Sequence, residues 1–211
     1  AGSKGTGSWT IQMAARLGVP CATMAAALEA RYTSSLKTQR VQMAEMHQKP
    51  SASAWSQGWT ADLEKALLAS KLCAYAQGMA VLAAASSEFE WSLPLAELAQ
   101  IWRGGCIIRA RVLSLVHAAF SSDPKLPNLL LDAAVSAEVT RCEDGWRRIV
   151  ASAAADGLPL PALSASLAYY DSLATATLHS AQCVQAQRDS FGGHGFKRLD
   201  AEGTFTARWL E

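Results

Sequence analysis

Leu68, Leu72, Tyr75, Met79 and Leu82 constrain this chain more than any other feature. Apolar residues recur there every three or four positions, the spacing that lines one face of an α-helix. Alanine fills much of the sequence between them, and alanine has the highest helix propensity. Thr60 reads as the N-cap of this helix. Asp62 and Glu64 fall in its first turn, where the helix dipole favours acids. No stretch alternates β-branched and polar residues as a half-buried strand does. The 211 residues, 50% of them hydrophobic, suffice for one large or two small domains with a proper core. The expectation is an all-α fold whose small side chains let helices pack closely.

The same reading extends along the chain. Ser8 is the expected N-cap of a helix from Trp9 to about Leu17, with Gly18 as the residue that ends it. Pro20 opens one long helix to about His47, followed by a linker over Gln48–Gly58. Pro94 opens a short helix to about Trp102, and Arg103-Gly104-Gly105-Cys106 breaks it. A helix with Ile108, Val112, Leu115 and Ala119 on one face follows, then a turn at Asp123-Pro124 and a short element over Leu126–Asp132. Ala133–Asp156 is the next long helix, with Val135, Val139, Cys142, Trp146 and Ile149 at helical spacing. After Gly157, Pro159 and Pro161, the last helix runs from Ala162 to about Ala186. It delivers Gln187-Arg188-Asp189-Ser190-Phe191-Gly192-Gly193-His194-Gly195, where the glycines release the backbone around Arg188 and His194 before a short extended tail.

Several functional classes are disfavoured. A formal net charge of +1 does not suit a nucleic-acid binder working through bulk charge. Cys21, Cys73, Cys106, Cys142 and Cys183 are widely spaced and read as reduced core residues. No compact metal-ligand spacing and no G-x-S-x-G elbow is present, so neither a metal nor a serine nucleophile is expected. No G-x-G-x-x-G follows a strand pattern, which leaves no place for a dinucleotide in this chain. The sequence has no signal peptide and no long uninterrupted apolar run. The expectation is a cytoplasmic protein with no membrane span.

What remains is a set of cations and hydroxyls: Lys4 with Thr6, then Arg31, Arg188 and His194. Arginine grips phosphate oxygens bidentately, lysine adds a point charge, and threonine and histidine reach hydroxyls. A sugar phosphate suits such a set. Two readings of the composition stay open here, an anion site and a solvated helix end with a cationic tail.

A resemblance narrows them. Lys4-Gly5-Thr6-Gly7-Ser8-Trp9-Thr10, Ala30-Arg31 with Ser34-Ser35-Leu36-Lys37, and Ala69-Ser70-Lys71 with Tyr75-Ala76-Gln77-Gly78 occur in order. Trp102-Arg103-Gly104-Gly105-Cys106-Ile107-Ile108-Arg109, Asn128-Leu129-Leu130-Leu131 and Gln185-Ala186-Gln187-Arg188-Asp189 through Phe191-Gly192 to His194 follow. Together they resemble the successive signatures of the decarboxylating 6-phosphogluconate dehydrogenase family. The resemblance implies that family's all-helical C-terminal domain, with residues 1–211 serving substrate binding and dimerisation. It implies oxidative decarboxylation of 6-phosphogluconate to ribulose 5-phosphate with NADP, in the pentose phosphate pathway and without a metal. It also implies that Lys4, Thr6 and Arg31 hold the substrate phosphate, while Arg188 and His194 reach the substrate of the other subunit in a homodimer. The family's dinucleotide domain, its acid/base lysine and its acidic glutamate are expected upstream, so no catalytic residue is assigned to this chain and the fragment by itself is expected to be inactive.

The family often has Lys where Ser8 stands, Ala where Gly193 stands and Thr where Gly195 stands. The extra glycine is expected to loosen the loop that carries His194. Two further readings stand beside the main one. One is a non-catalytic helical dimerisation module derived from the same fold. The other is a related β-hydroxyacid dehydrogenase for a non-phosphorylated acid, which the three cations Lys4, Arg31 and Arg188 disfavour.

Overall fold

A computed structural model of the chain describes residues 1–2, 4–47, 50, 55 and 57–209. Among the described residues the chain forms nine α-helices and no strand of a sheet, as the helical periodicity requires. These are α1 (Thr6–Arg16), α2 (Ala22–Ser35), α3 (Lys37–Met46), α4 (Trp59–Glu88), α5 (Leu95–Ile101), α6 (Leu113–Ser122), α7 (Ala133–Ala155), α8 (Pro161–Ala174) and α9 (His179–Gly192). A 3-10 turn at Leu129–Leu131 precedes α7. The chain divides into two compact units, Ala1–Tyr170 and Asp171–Glu211, with the boundary inside α8.

The first unit is built on α4 and α7, which pack along each other. Of the apolar stripe on α4, Leu72 and Met79 are fully buried, while Leu68, Tyr75 and Leu82 pack against the core from its edge. On α7, Val135, Val139, Cys142, Trp146 and Ile149 are all buried, as their spacing predicts. Each such side chain contributes about 1.5–3 kcal/mol on leaving water. The helices meet closely at Gly145, where a Cβ would lie 2.8 Å from Asp62 Oδ1 and 3.2 Å from Asp62 Cα. At this crossing Arg148 donates from Nε and Nη2 to the Asp62 carboxylate, both at 2.7 Å. Those donations hold the Asp62 carboxyl below its usual range. The Asp132 side chain caps α7, accepting from the amides of Ala134 and Val135 at 3.0 Å. A smaller cluster of Ala14, Cys21 and Val81 joins α1 and α2 to α4. It is reinforced by the buried pair Thr23–Gln77, which exchanges two bonds of 3.0 Å.

Several boundaries differ from the sequence expectation, each for a local reason. The helix expected over Pro20–His47 is broken at Leu36, whose ψ of 49 is not helical. Ser34 and Ser35 hydroxyls donate back to the carbonyls of Arg31 and Tyr32, at 2.7 and 2.6 Å, which competes with the helical ladder. The helix expected over Ala162–Ala186 is likewise two. The Thr175 hydroxyl donates to the Asp171 carbonyl at 2.6 Å just past the end of α8, and α9 restarts at His179. Neither Ser8 nor Thr60 caps a helix. Gly5 and Gly58 do so instead, with φ of +93 and +89, because a left-handed residue turns the chain into the helix sooner. Ile108 and Val112 precede α6 rather than lining it, and its buried face is Leu113, Val116, Ala119 and Phe120. Most of the linker expected over Gln48–Gly58 lies outside the described residues. Gly18 does end α1. With φ +66, it donates to the Ala15 carbonyl while Val19 donates to Ala14.

The expectation that no apolar run is long enough to span a membrane needs correction. By length and composition α4 qualifies, but over half of its most apolar window is buried inside the fold, so its apolarity is that of a core helix. The cysteines also divide. Cys21, Cys73 and Cys142 are buried, whereas Cys106 is half-buried and Cys183 exposed on α9. Burial pushes the Cys73 thiol up to about 12, so it stays a thiol in the core.

In the second unit, α9 ends at Gly193, which has φ +58. The chain then returns on itself. The amide of Phe196 donates to the Phe205 carbonyl at 2.8 Å and the Phe205 amide donates back at 2.9 Å. Arg198 lies over the Phe205 ring and pairs with both oxygens of Asp200.

Candidate functional site

The residues singled out in sequence fall in two places, one in each unit. In the first, Lys4 and Gly5 lead directly into α1, and Thr6 is its first residue. Ser8 lies inside α1, and its hydroxyl accepts from Gln12 Nε2 at 3.0 Å. Thr6 keeps its side chain exposed while its carbonyl accepts from the Thr10 hydroxyl at 3.1 Å. Among the described residues no side chain caps the N-terminus of α1, which follows Lys4 directly, an arrangement that favours an anion.

Arg31 sits on α2 one turn before the break at Leu36. Two contacts bracket it against the start of the chain. A Cβ on Gly7 would touch Leu28 Cδ1 at 3.4 Å, and the Ala1 nitrogen donates to the Ser34 hydroxyl at 2.5 Å. Lys4 and Thr6 thus lie between residues that contact the α2 turns on either side of Arg31. All three side chains are exposed. Among the described residues, neither Lys4 nor Arg31 is engaged in an ion pair. They are cations with no internal use.

Other residues of the recognised motifs spend their polar groups on the fold. Ser166 donates to Ser70 at 2.9 Å, and the Tyr75 hydroxyl donates to the Ile108 carbonyl. The Asn128 side chain accepts from the Leu130 amide and donates to the Tyr169 hydroxyl, both at 2.9 Å. An open apolar cavity of ≈ 790 Å³ lies beside α4, lined among others by Trp9, Tyr75, Gly78, Trp91 and Ile107, and does not include Lys4, Thr6 or Arg31. No group of three or more His, Cys, Asp and Glu among the described residues is arranged to hold a metal.

The second place is the end of α9. Arg188 lies within the helix, so the backbone is released later than the sequence suggests, at Gly193. Arg188 and His194 are both exposed. The imidazole lies against the last turn of α9: a Cβ on Gly192 would fall 2.6 Å from His194 Cδ2 and Nε2. Phe191 meets the same ring edge-on, with centroids 6.5 Å apart.

Asp189 organises this region and was not singled out from the sequence. It is 2% exposed. Its Oδ1 accepts from the Gly195 amide, and its Oδ2 accepts from the Ala207 amide and the Trp209 indole, each at 2.9 Å. The Ala207 amide above all, with the Trp209 and Gly195 donors, holds its carboxyl below the ordinary range against the opposing effect of burial. One signal was available: an acid in the last turn of a helix runs against the macrodipole, so it needs donors from elsewhere. The loop is also tied more firmly than an extra glycine suggests. Gly195 donates to Asp189, and its carbonyl accepts from the Gln185 side chain. At φ +69, a Cβ there would fall 2.4 Å from Thr204 Cγ2.

Comparison with known proteins follows the same ground. A family model described as 6-phosphogluconate dehydrogenase, C-terminal domain, matches residues 1–209. 6-phosphogluconate dehydrogenase, decarboxylating 2, of Arabidopsis thaliana is 44% identical, over 100% of this chain and 44% of its own length. The NADP(+)-dependent, decarboxylating 6-phosphogluconate dehydrogenase of Bacillus subtilis is 42% identical, over 100% of this chain and 45% of its own. Among solved structures, Plasmodium falciparum 6-phosphogluconate dehydrogenase, described in its apo form, with its cofactor NADP+ and with its substrate 6-phosphogluconate, superposes with a TM-score of 0.92. It is 40% identical, and the match covers 99% of this chain and 45% of that one. The chain spans less than half the length of these relatives.

Proposed function

The chain belongs to the 6-phosphogluconate dehydrogenase family, and from that premise we propose that it forms the substrate-binding and dimer-forming part of a decarboxylating, NADP-dependent enzyme of that kind. The reaction is oxidation and decarboxylation of 6-phosphogluconate to ribulose 5-phosphate. One observation carries this reading: the match runs over residues 1–209, through both cationic clusters. The Plasmodium falciparum structure in complex with NADP+ and 6-phosphogluconate supports the choice of ligands. A cytoplasmic location belongs to the same proposal, although one matched relative, from rice, is named as chloroplastic.

Lys4, Thr6 and Arg31 take the substrate phosphate. A phosphate monoester carries close to two negative charges near neutral pH and needs more than one cation. Arg31 offers two parallel donors, Lys4 a point charge, and Thr6 a hydroxyl at the positive end of α1. Arg188 and His194 bind the sugar-acid portion in the neighbouring subunit of a homodimer. Among the described residues none of Lys4, Arg31, Arg188 and His194 is in an ion pair, so ligand binding breaks no existing salt bridge. Their contribution to rate is orientation, which lowers the barrier without a proton transfer. Proton transfers belong to the lysine and glutamate expected in the part of the relatives' length that this chain does not span. The described residues contain no strand leading into a glycine-rich turn and a helix, the arrangement that receives a dinucleotide, and NADP is bound mainly by the part of the relatives' length that this chain does not span.

Steady-state kinetics on the full-length protein test the assignment. Arg188→Ala is expected to raise KM for 6-phosphogluconate by roughly ten- to hundredfold, the equivalent of a lost charge-assisted bond of about 1.5–3 kcal/mol. KM for NADP stays within error. Equal losses for both ligands exclude the role. Sedimentation gives a dimer on this reading, and a strictly monomeric protein removes the shared site.

A further inference from the structure

We propose that Asp189 is the positioning residue for His194, acting through the Gly195 amide. The inference rests on the substrate-binding role of His194 proposed above. Asp189 lies in the last turn of α9, directly after Arg188. Its Oδ1 holds the amide of the residue that follows His194, and its Oδ2 holds the returning segment at Ala207 and Trp209. One side chain thereby joins the helix that carries Arg188, the loop that carries His194 and the segment that returns at Ala207 and Trp209. Among the described residues of 171–209, Asp189 and Gly195 are the buried ones, and they are bonded to each other. Arg188 and His194 face solvent. Asp189 is therefore shielded from any ligand those side chains meet, and it acts on the ligand only through them.

The loop needs such an anchor. Gly193 and Gly195 have φ of +58 and +69, and glycine leaves that region as readily as it enters. Nothing intrinsic to the backbone holds His194 in place. The anchors are external: Asp189 fixes the Gly195 amide, and the Gln185 side chain fixes its carbonyl. With that peptide fixed, the imidazole rests against Gly192, whose missing Cβ leaves it room. A ligand hydroxyl or carboxylate then meets an imidazole already in position, and binding need not order the loop.

The test is steady-state kinetics on the full-length enzyme with 6-phosphogluconate and NADP varied separately. Asp189→Asn keeps the side chain's shape but turns one oxygen into a donor facing N–H groups. It is expected to raise KM for 6-phosphogluconate about tenfold with KM for NADP unchanged. In the His194→Ala background the same change should add less than about twofold, because nothing is left to position. Asp189→Glu, which keeps the carboxylate, should recover part of the loss. Additive losses in the double variant overturn the proposal, as does a parallel rise in both KM values. If Asp189→Asn does not fold, Trp209→Phe removes one donor and keeps a ring. Its expected rise of roughly two- to threefold must also vanish in the His194→Ala background, and persistence there overturns the proposal. If His194→Ala itself leaves KM for 6-phosphogluconate unchanged, the binding role of His194 falls and the positioning role with it. If His194→Ala raises that KM while Asp189→Asn does not, only the positioning role falls.

Discussion

In the first unit the largest fully buried side chains are Trp146, Leu72, Met79 and Leu113, all apolar or nearly so, and the buried polar Gln77 among them is neutral and paired with Thr23. Among the described residues of the second the deeply buried side chain is Asp189, a carboxylate. The first unit excludes water from an extended α4–α7 contact, and its order derives from apolar area. The described residues of the second hide little apolar area. Leu199 is 98% exposed and Phe191 79% exposed. Its order derives from donors gathered around one ionised group. Hydrophobic burial is non-directional and indifferent to pH, so it builds a platform. Hydrogen bonds to a carboxylate are directional and set the position of particular atoms, which suits a segment proposed to present Arg188 and His194.

Three experiments break or sharpen that contrast. The largest effect is expected from Trp146→Ala, which empties the centre of the first unit and leaves the Leu163 carbonyl without its indole donor. A loss of about 3–5 kcal/mol in denaturant unfolding is expected, and a loss below about 1 kcal/mol contradicts a core centred on Trp146. Next comes Gly145→Ala. Its Cβ falls 2.9 Å from Lys65 Cδ and 2.8 Å from Asp62 Oδ1, so α4 and α7 must separate or the Asp62–Arg148 pair must shift. A loss of about 1–3 kcal/mol in the same assay is expected.

The smallest effect on global stability is expected from acid, and it distinguishes the units most sharply. The Asp189 carboxyl is depressed in the folded chain, chiefly by the Ala207 amide. A depressed carboxyl contributes stability that is complete above its unfolded value of about 4 and is lost as pH falls through the folded value. Hydrogen exchange at Gly195 and Ala207 should therefore accelerate, relative to intrinsic rates, once the pH drops below about 4, while amides of α4 and α7 stay protected. The Asp62–Arg148 pair weakens in the same range, but it is one half-exposed pair on an apolar body and adds little. Simultaneous loss of protection in both units contradicts the contrast.

Much of the first unit was legible because its determinants are local and periodic. The spacing of Val135, Val139, Cys142, Trp146 and Ile149 defined α7 and its buried face, and its observed span of Ala133–Ala155 differs from the expected one by a single residue. The helix breaks at Leu36 and after Ala174 were not legible. Ser34, Ser35 and Thr175 are tolerated inside helices, and only the bonds they make here turn them into interruptions. The caps were misjudged for a related reason. Ser8 and Thr60 are better caps by type, but Gly5 and Gly58 adopt the left-handed turn that starts the helix earlier.

The candidate site divides in the same way. Sequence motifs showed the family and its helical fold and singled out Lys4, Thr6, Arg31, Arg188 and His194 as candidates, because residue type and order are properties of the chain itself. That Lys4 and Thr6 lie beside the Arg31 turn depends on the packing of α1 against α2, which brings together positions remote in sequence. The role of Asp189 also had to come from tertiary structure. A carboxylate is equally at home in water, and only the return of Ala207 and Trp209, with the turn at Gly195, surrounds it with donors and excludes solvent.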